Sequence, residues 1–432
     1  MTDATDCLVV GGGPAGASAA ITLAKRGRRV RLIDRVRHPR YHIGESLIPF
    51  CSYTLERLGL AERMAKSAFP KKYSVQFVGT SGADTRPFYF FEHLFDSSAV
   101  TWQVWRHEFD AMLLDHARKQ GVEVIEDEKA ERFITNDAGV VTGAETCDAK
   151  GQRRIRSATV SIDASGRDAL SASQFGWRVL DKGLARFALW TYWKDAVRDP
   201  GIDAGATTVA AIGNSGWIWW IPMPGNITSV GVVARKADLF RDHPGEAARS
   251  ANCLQEIFLR ETGSNPWVAQ HLSTGERSDE FRFTNEYSYR SRHCSRDGLI
   301  LAGDALSFLD PIFSSGVFLA LRTGELAAEA VDTAIRRNDV SGAQFMPYAN
   351  RVMSGVNAMR KLVYAFYSPK FSFSQLIKKD YGNRSHITDL LIGNFFRDYD
   401  PFFKQVAEFA DLPESPYNST PFVHSHLVNN AP

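Results

Sequence analysis

The sequence contains few cysteines, no long apolar run and no excess of either charge. Its five cysteines among 432 residues are dispersed, with no CxxC pair and no metal-ligand spacing. This pattern predicts reduced thiols, a cytoplasmic location and no metal site. An apolar run of about 18 residues is lacking, so no membrane span is expected. The 51 Lys and Arg residues nearly balance the 49 Asp and Glu residues, which disfavours nucleic acid as a partner.

A glycine-rich turn follows the first apolar run, and the strand pattern begins too early to leave room for a signal peptide. The turn has the pattern G-x-G-x-x-G and comprises Gly11, Gly13, Pro14, Ala15 and Gly16. Its first two glycines allow a tight turn and a close backbone approach to a pyrophosphate, and the third allows close helix–strand packing. Asp34 lies roughly 20 residues further on, where an acceptor for a ribose hydroxyl group is expected. The turn therefore predicts a nucleotide site, and a ligand-free glycine turn is the alternative.

Strand and helix patterns divide the chain into three regions. Strands are indicated at 7–10, 30–33 and 298–301, and helices at 15–26, 50–65, 106–120 and 316–336. Residues 73–104 indicate an antiparallel sheet, and residues 185–283 indicate further strands around a helix near 246–262. The order predicts an α/β fold: a discontinuous Rossmann-like domain (1–72, 100–184 and 284–337), an inserted, mostly antiparallel sheet domain (73–99 and 185–283) and a helical C-terminal cap (338–432).

Three more motifs occur in a fixed order along the chain. Residues 103–110 read QVWRHEFD, residues 163–167 read DASGR, and residues 303–305 read GDA between a strand and a long helix. Together with the glycine-rich turn they resemble the p-hydroxybenzoate hydroxylase-like FAD superfamily. The resemblance implies FAD as the cofactor. Besides the turn and Asp34, it implies that FAD is bound by Arg35, Ser46, Gln103, Arg106, Asp304, Pro311 and Gly316.

Two further motifs narrow the resemblance. Residues 217–222 read WIWWIP and match W-x-W-x-I-P, and residues 308–316 read FLDPIFSSG and match F-x-x-P-x-x-S-x-G. With the GES triplet at 44–46, the chain resembles the phenol- and pyrrole-acting branch of the flavin-dependent halogenases. The resemblance implies an enzyme that uses reduced FAD (FADH2), oxygen and chloride or bromide to halogenate an electron-rich aromatic ring. The substrate would be free or tethered to an acyl or peptidyl carrier protein, and a separate flavin reductase would supply the reduced flavin.

The resemblance also implies the catalytic and halide-binding residues. Lys72 is the predicted catalytic residue, with the adjacent Lys71 as the alternative, because a desolvated lysine amine or its ammonium can activate hypohalous acid. Ser315 and Gly316 are predicted at the halide, since the start of a helix has free backbone N–H groups that suit an anion. An ordinary flavin-contacting helix start is the alternative for this site.

The tryptophan-rich segment is predicted to separate the flavin from the substrate. Its channel-lining residues are Trp217, Trp219, Ile221 and Pro222, and an apolar core strand is the alternative. The aromatic residues of the C-terminal region are predicted to cap the substrate pocket, with ordinary helix packing as the alternative; they are Phe395, Phe396, Tyr399, Phe402 and Phe403.

Two positions depart from the patterns of related groups. Phe313 stands where tryptophan halogenases carry a glutamate, which disfavours free tryptophan as the substrate, and Ser74 stands where this branch often has glycine.

Three other functions fit the same FAD motifs: an aromatic monooxygenase, an isoprenoid double-bond reductase, and a flavoprotein that acts only as a redox sensor or binding module.

Overall fold

The computed structural model describes residues 5–213, 216–243, 250–285 and 288–414. Its strands are β1 (Thr5–Val10), β2 (Val30–Ile33), β3 (Lys71–Lys72), β4 (Ser74–Val78), β5 (Phe88–Tyr89), β6 (Thr101–Trp102), β7 (Glu123–Ile125), β8 (Glu128–Thr135), β9 (Val141–Asp148), β10 (Arg153–Asp163), β11 (Arg178–Leu180), β12 (Phe187–Lys194), β13 (Thr207–Ile212), β14 (Gly216–Pro222), β15 (Ile227–Ala234), β16 (Glu276–Arg277), β17 (Arg282–Asn285), β18 (Tyr289–Ser291), β19 (Ser295–Arg296), β20 (Leu299–Leu301) and β21 (Ser307–Phe308). Its helices are α1 (Pro14–Ala24), α2 (Cys51–Leu58), α3 (Ala61–Ala65), α4 (Arg106–Lys119), α5 (Leu170–Gln174), α6 (Lys236–Leu239), α7 (Ala251–Gly263), α8 (Pro266–Leu272), α9 (Gly316–Arg337), α10 (Met346–Tyr367), α11 (Phe373–Lys379), α12 (Asn383–Ile392) and α13 (Asp400–Val406).

The first large sheet has the strand order β19-β20-β10-β1-β2-β7, and β8 and β9 extend it beside β10. The pairs β1–β10, β1–β2, β10–β20 and β2–β7 are parallel. Residues 7–10 and 30–33 form buried strands because apolar side chains cover both faces of the parallel sheet. The carboxyl ends of β1, β2, β10 and β20 lie at one edge, where open α/β sheets bind their ligands.

The second large sheet has the order β16-β12-β15-β14-β13-β4-β5, with β17 also paired to β12. Its central pairs are antiparallel, whereas β4 pairs with β13 in parallel. The prediction of one antiparallel sheet over residues 73–104 is therefore wrong in part. β4 and β13 are far apart in sequence, and no local turn fixes their direction. β6 pairs instead with β3 in a separate two-stranded ladder.

The predicted helices are found with small shifts. The helix predicted at 50–65 is divided into α2 and α3 by Gly59, which has a left-handed backbone with φ 86°. The helix predicted near 246–262 begins at Ala251, and its predicted first residues lie partly outside the described residues. The α/β class, with a Rossmann-like parallel sheet, an inserted mostly antiparallel sheet and a helical C-terminal region, is confirmed. The residue bounds of the three domains stay predictions.

Aromatic side chains of the C-terminal region pack against α9 and against one another. Phe395 is fully buried, with its ring 5.3 Å from that of Phe318 on α9. Phe402 and Phe403 are also buried and pack against Tyr399. Among the described residues, no helix has the length and apolar character needed to cross a membrane, and no cluster of His, Cys, Asp and Glu is arranged to hold a metal ion.

Candidate active site

A cavity of about 880 Å³ extends from the carboxyl edge of the parallel sheet to one face of the second sheet. Most of the predicted site residues line it, namely Gly11, Gly13, Pro14, Ala15, Asp34, Arg35, Ser46, Arg106, Trp217, Trp219, Ile221, Asp304, Pro311 and Gly316. Five predicted residues do not line it: Gly16, Lys72, Gln103, Pro222 and Ser315. The fold therefore brings motifs from both ends of the sequence together around one volume.

The glycine-rich turn leaves room only for glycine at its most crowded positions. A Cβ atom at Gly16 would lie 1.9 Å from the Gly11 carbonyl oxygen, and one at Gly11 would lie 2.1 Å from the Ala164 carbonyl oxygen. α1 begins just beyond Gly13, and no side chain caps it. Its first backbone N–H groups are therefore available to an anion at the cavity. This cradle fits the pyrophosphate of FAD.

Asp34 shapes the turn in addition to facing the cavity. Its Oδ2 accepts a hydrogen bond of 2.6 Å from the Gly12 backbone N–H, and its Oδ1 accepts one of 2.9 Å from Val36. A carboxylate has further lone pairs, so a ribose hydroxyl group can still bind. Arg35 beside it forms an ion pair of 2.5 Å with Asp168.

Arg106 and Asp304 define the middle of the cavity. The Arg106 guanidinium binds both carboxylate oxygens of Asp110, at 2.9 and 3.0 Å, and donates to the Ile43 carbonyl oxygen at 2.9 Å. Arg106 thereby holds the segment that leads to Glu45. Burial raises the pKa of Asp304 to about 6, and the positive charges of Arg106 and Arg167 oppose this rise.

The start of α9 forms a second place for an anion. Ser314 has a left-handed backbone, with φ 54°, and Asp310 caps the turn before it by accepting from the Ile312 N–H at 3.2 Å. No atom lies within 4 Å of a Cβ built on Gly316. Packing of the described residues therefore does not require glycine at this position. The free N–H groups of the first turn of α9 can receive a halide or the flavin edge.

β14 presents its side chains alternately to two environments, as a strand does. Trp217, Trp219 and Ile221 face the cavity, whereas Ile218 and Trp220 belong to the apolar core on the other face of the sheet. Pro222 is buried and away from the cavity lining.

The position of Trp219 depends on a residue in the neighbouring strand. A Cβ at Gly231 would lie 2.2 Å from the Trp219 ring, so β15 needs glycine there. The Trp219 indole N–H donates to Ser229 at 3.1 Å. Sequence reasoning did not single out Gly231 or Ser229.

Lys72 is buried beside the cavity, and its ammonium group does not point to bulk water. Only 1% of the side chain is exposed. Its Nζ donates to the Ser46 hydroxyl oxygen at 2.9 Å and to the Leu47 carbonyl oxygen at 3.1 Å, and it lies 5.6 Å from the centre of the Phe90 ring. Burial lowers the pKa of Lys72 to about 7. Lys71 points the other way and is exposed, which leaves Lys72 as the buried lysine of the pair.

Gln103 lies behind Ser46 rather than at the cavity surface. Its side-chain amide donates to the Gly205 carbonyl oxygen at 2.9 Å and to the Thr207 hydroxyl oxygen at 2.8 Å. Thr207, which the sequence motifs did not indicate, lines the cavity and contacts Ser46, with 2.8 Å between the two hydroxyl oxygens.

Glu45 is another residue that the sequence motifs did not single out, although it lies within the GES triplet at 44–46. It lines the cavity and is fully buried, and Tyr192 donates to it at 2.6 Å. Tyr192 and Tyr41 lie 3.0 Å apart at their hydroxyl oxygens, and Trp190 donates to Tyr41 at 2.7 Å. Burial raises the pKa of Glu45 to about 7. The available signal was a carboxylate next to Ser46, directly ahead of the apolar residues 47–50.

Comparison with known proteins agrees with this geometry. Residues 4–327 match the FAD binding domain family. A 1H-pyrrole-2-carbonyl-[peptidyl-carrier protein] chlorinase from Pseudomonas fluorescens is 29% identical over 90% of this chain and 89% of its own length. Flavin-dependent halogenase armH3 from Armillaria mellea is 33% identical over 77% of this chain and 68% of its own length. The structure of the flavin-dependent brominase Bmp2 superposes with a TM-score of 0.83, at 28% identity, over 94% of this chain and 97% of that one.

The family match over most of the chain, together with a cavity that fits the dinucleotide, defines an FAD-dependent flavoprotein. The relatives then settle the group: the chain belongs to the flavin-dependent halogenases. It is an FAD-dependent halogenating enzyme that uses a halide ion and oxygen, as the motifs predicted. The residues predicted to carry out this chemistry stay predictions, and their placement allows a mechanism to be proposed.

Proposed function

We propose that this halogenase chlorinates or brominates a phenol or a pyrrole, free or tethered to a carrier protein, with Lys72 as its catalytic residue. The observation that supports the proposal most directly is the burial of the Lys72 amine beside the cavity, within hydrogen-bond distance of Ser46 in the cavity lining. A lysine that is held out of water with no acidic partner among the described residues is costly for the fold, and such a cost is typical of functional sites.

Different residues of the cavity lining bind different parts of the cofactor. The glycine-rich turn and the start of α1 hold the pyrophosphate, Asp34 accepts from the ribose, and Arg106 and Asp304 orient the middle of the molecule. Bound FAD in its reduced form supplies, with oxygen, the oxidation of halide to hypohalous acid. The first turn of α9, at Ser315 and Gly316, binds the halide through backbone N–H groups.

The remaining residues control where the oxidant goes. Trp217, Trp219 and Ile221 separate the flavin part of the cavity from the aromatic substrate. Hypohalous acid passes beside them to Lys72. There the ammonium form can polarise the acid by hydrogen bonding, and the free amine can take up the halogen. Because its pKa is lowered to about 7, Lys72 has both forms available near neutral pH.

The identity and surroundings of Phe313 support the proposed substrate class. Phe313 is buried, with its ring 5.9 Å from that of Phe366 and 6.4 Å from that of Phe373. An aromatic side chain at the position of the glutamate suits a ring that its own heteroatom activates, such as a phenol or a pyrrole. The relative that aligns over nearly the whole of both chains is named for a carrier-bound pyrrole, which favours a tethered substrate as one of the two forms to test.

The proposal includes two cellular elements. A separate flavin reductase delivers the reduced cofactor, because the sequence motifs indicate one nucleotide site, for FAD. The enzyme works in the cytoplasm, a location supported by its five free cysteines.

The test is turnover with a flavin reductase, chloride or bromide, and a panel of free and carrier-tethered phenols and pyrroles. The expected result is a halogenated product that Lys72→Ala abolishes and the matched control Lys71→Ala leaves unchanged, because only Lys72 is buried at the site. If Lys72→Ala halogenates as fast as the wild type, the assignment of Lys72 as the catalytic residue is wrong. A hydroxylated product formed without halide would instead indicate a monooxygenase.

A further inference from the structure

A row of hydrogen bonds joins Lys72, Ser46, Thr207 and Gln103 at the wall of the cavity. Ser46 and Thr207 line the cavity, whereas Lys72 and Gln103 lie behind them. The distances are 2.9 Å from Lys72 Nζ to Ser46 Oγ, 2.8 Å from Ser46 Oγ to Thr207 Oγ1, and 2.8 Å from Gln103 Nε2 to Thr207 Oγ1. All four side chains are at least nine-tenths buried. We call Ser46, Thr207 and Gln103 the polar bridge.

The donors and acceptors of the polar bridge can be assigned. Gln103 Nε2 also contacts the Gly205 carbonyl oxygen, which only accepts, so the amide nitrogen must face Thr207 as a donor. A Lys72 ammonium can only donate, so Ser46 accepts from it and must donate its own hydrogen to Thr207.

The hydrogen bonds from Ser46 and from Gln103 therefore converge on Thr207. Its oxygen accepts from Ser46 and from Gln103, which uses both lone pairs. Its hydroxyl hydrogen remains available, and no bond described above uses it. The ammonium of Lys72 thus orients the two hydroxyl hydrogens away from itself.

We propose that Thr207 is a positioning residue, whose hydroxyl group binds hypohalous acid at the cavity and holds it next to Ser46 and Lys72. The hydroxyl hydrogen donates to the oxygen of the acid, and no covalent bond forms or breaks in this step. The inference rests on the proposed function, since it assigns Lys72 as the destination. It also reassigns Gln103, predicted to bind the cofactor, as the residue that orients Thr207.

The test compares Thr207→Val, which keeps the shape of the side chain, with Thr207→Ser, which keeps the hydroxyl group. The halogenated product formed per oxygen consumed is measured in the holoenzyme, and hypohalous acid that escapes is captured with a soluble 1,3-dione. Thr207→Val is expected to lower this ratio by about tenfold, the effect of losing one hydrogen bond of ordinary strength. Captured halogen rises, FAD affinity and oxygen uptake stay unchanged, and Thr207→Ser restores most of the coupling.

A second measurement does not need the cofactor. Without the Thr207 oxygen, the Ser46 hydrogen has to turn toward Lys72, which favours the neutral amine. The apparent pKa of Lys72, taken from the pH dependence of amine labelling followed by mass spectrometry, should therefore fall in flavin-free Thr207→Val and stay unchanged in Thr207→Ser.

Normal coupling in Thr207→Val would overturn the inference, as would an unchanged pKa of Lys72. A loss of coupling that Thr207→Ser fails to restore would do the same, because it would mean that packing rather than the hydroxyl group matters. Lys72→Ala, measured in parallel, distinguishes a failure of the Thr207 inference from a failure of the proposed function. If Lys72→Ala is inactive and Thr207→Val is normal, only the role of Thr207 is wrong; if Lys72→Ala still halogenates, the proposed role of Lys72 is wrong.

Discussion

The Trp217 indole N–H donates a hydrogen bond of 2.8 Å to the hydroxyl group of Tyr367. Tyr367 in turn donates to Asp310 at 2.8 Å. The two bonds join the tryptophan segment, the C-terminal region and the loop before α9. The C-terminal region therefore supports the site through α10, at a residue outside its predicted aromatic stripe.

Tyr367→Phe should weaken this junction. It removes the acceptor of the buried Trp217 indole N–H, and the loss of such a partner costs about 1–3 kcal/mol. We expect the free energy of unfolding, measured by urea denaturation, to fall by about that amount. Tyr381→Phe is the control, because Tyr381 is 78% exposed. An equal effect of both substitutions would contradict the importance of the junction.

Lys72→Met should stabilise the protein while it abolishes halogenation. Burial lowers the pKa of Lys72 from 10.5 to about 7, so the folded state disfavours the charged form. The resulting loss of folding stability is greatest below pH 7 and disappears as the pH rises toward 10.5. An apolar side chain of similar length removes this cost but also loses the two hydrogen bonds of Lys72. We expect the free energy of unfolding to rise by about 1–3 kcal/mol at neutral pH.

Denaturation at two pH values checks this prediction. The gain of Lys72→Met over the wild type should be larger at pH 7 than at pH 10, because the lysine of the folded wild type is already neutral at the higher pH. Lys71→Met should show neither the gain nor the loss of activity. A destabilised Lys72→Met protein would indicate that the lysine is held for structure.

Glu45→Gln should remove part of the pH dependence of stability. Burial raises the pKa of Glu45 from 4.5 to about 7, and the Tyr192 and Ser229 hydroxyl groups and the charges of Arg106 and Arg282 oppose the rise. The folded state therefore binds the proton more tightly than the unfolded state. Stability contributed by the protonated group is full below pH 4.5 and is lost as the pH rises toward 7.

Flavin-free wild type and Glu45→Gln can be compared by denaturation at pH 5 and pH 8. The wild type should lose on the order of 3 kcal/mol relative to the variant over this range. Asp304, whose pKa is also raised, titrates in both proteins and cancels in the difference. A constant difference between the two proteins would show that Glu45 is ionised throughout.

Sequence reasoning reached the parts of the site that are encoded locally. The glycine-rich turn is predictable because it is a contiguous motif and because the closest contact of Gly16, with the Gly11 carbonyl oxygen, lies within the motif itself. The alternation of Trp217 and Trp219 toward one face follows from the geometry of a single strand. Lys72 could be chosen over Lys71 only by resemblance, and the strand alternation of the structure now gives a physical reason.

Long-range contacts account for what was missed. Thr207 meets Gln103 across 104 positions of sequence, and Trp217 meets Tyr367 across 150. No local pattern specifies either pair. The same reason explains the parallel pairing of β4 with β13, and it explains why a motif-based expectation placed Gln103 at the cofactor although its amide faces the second sheet.

Two glycine substitutions should distinguish a glycine that packing requires from one that only ligand binding requires. In Gly16→Ala the new Cβ would lie 1.9 Å from the Gly11 carbonyl oxygen, so the turn must move. FAD affinity, measured by fluorescence titration, should fall by at least about a hundredfold, because the turn and the start of α1 no longer meet the pyrophosphate together. Gly263→Ala, where the new Cβ has no neighbour within 4 Å, is the control and should bind FAD normally.

Gly316→Ala should behave differently from Gly16→Ala. Its Cβ meets no atom of the described residues within 4 Å, so the fold and the free energy of unfolding should be unchanged. The methyl group nevertheless enters the cavity at the first turn of α9, where the halide is proposed to bind. We therefore expect the KM for chloride or bromide to rise by about tenfold, the equivalent of ~1.4 kcal/mol. A wild-type KM in this variant would show that the halide binds elsewhere, because a methyl group at that N-terminus cannot leave an ion on the same N–H groups undisturbed.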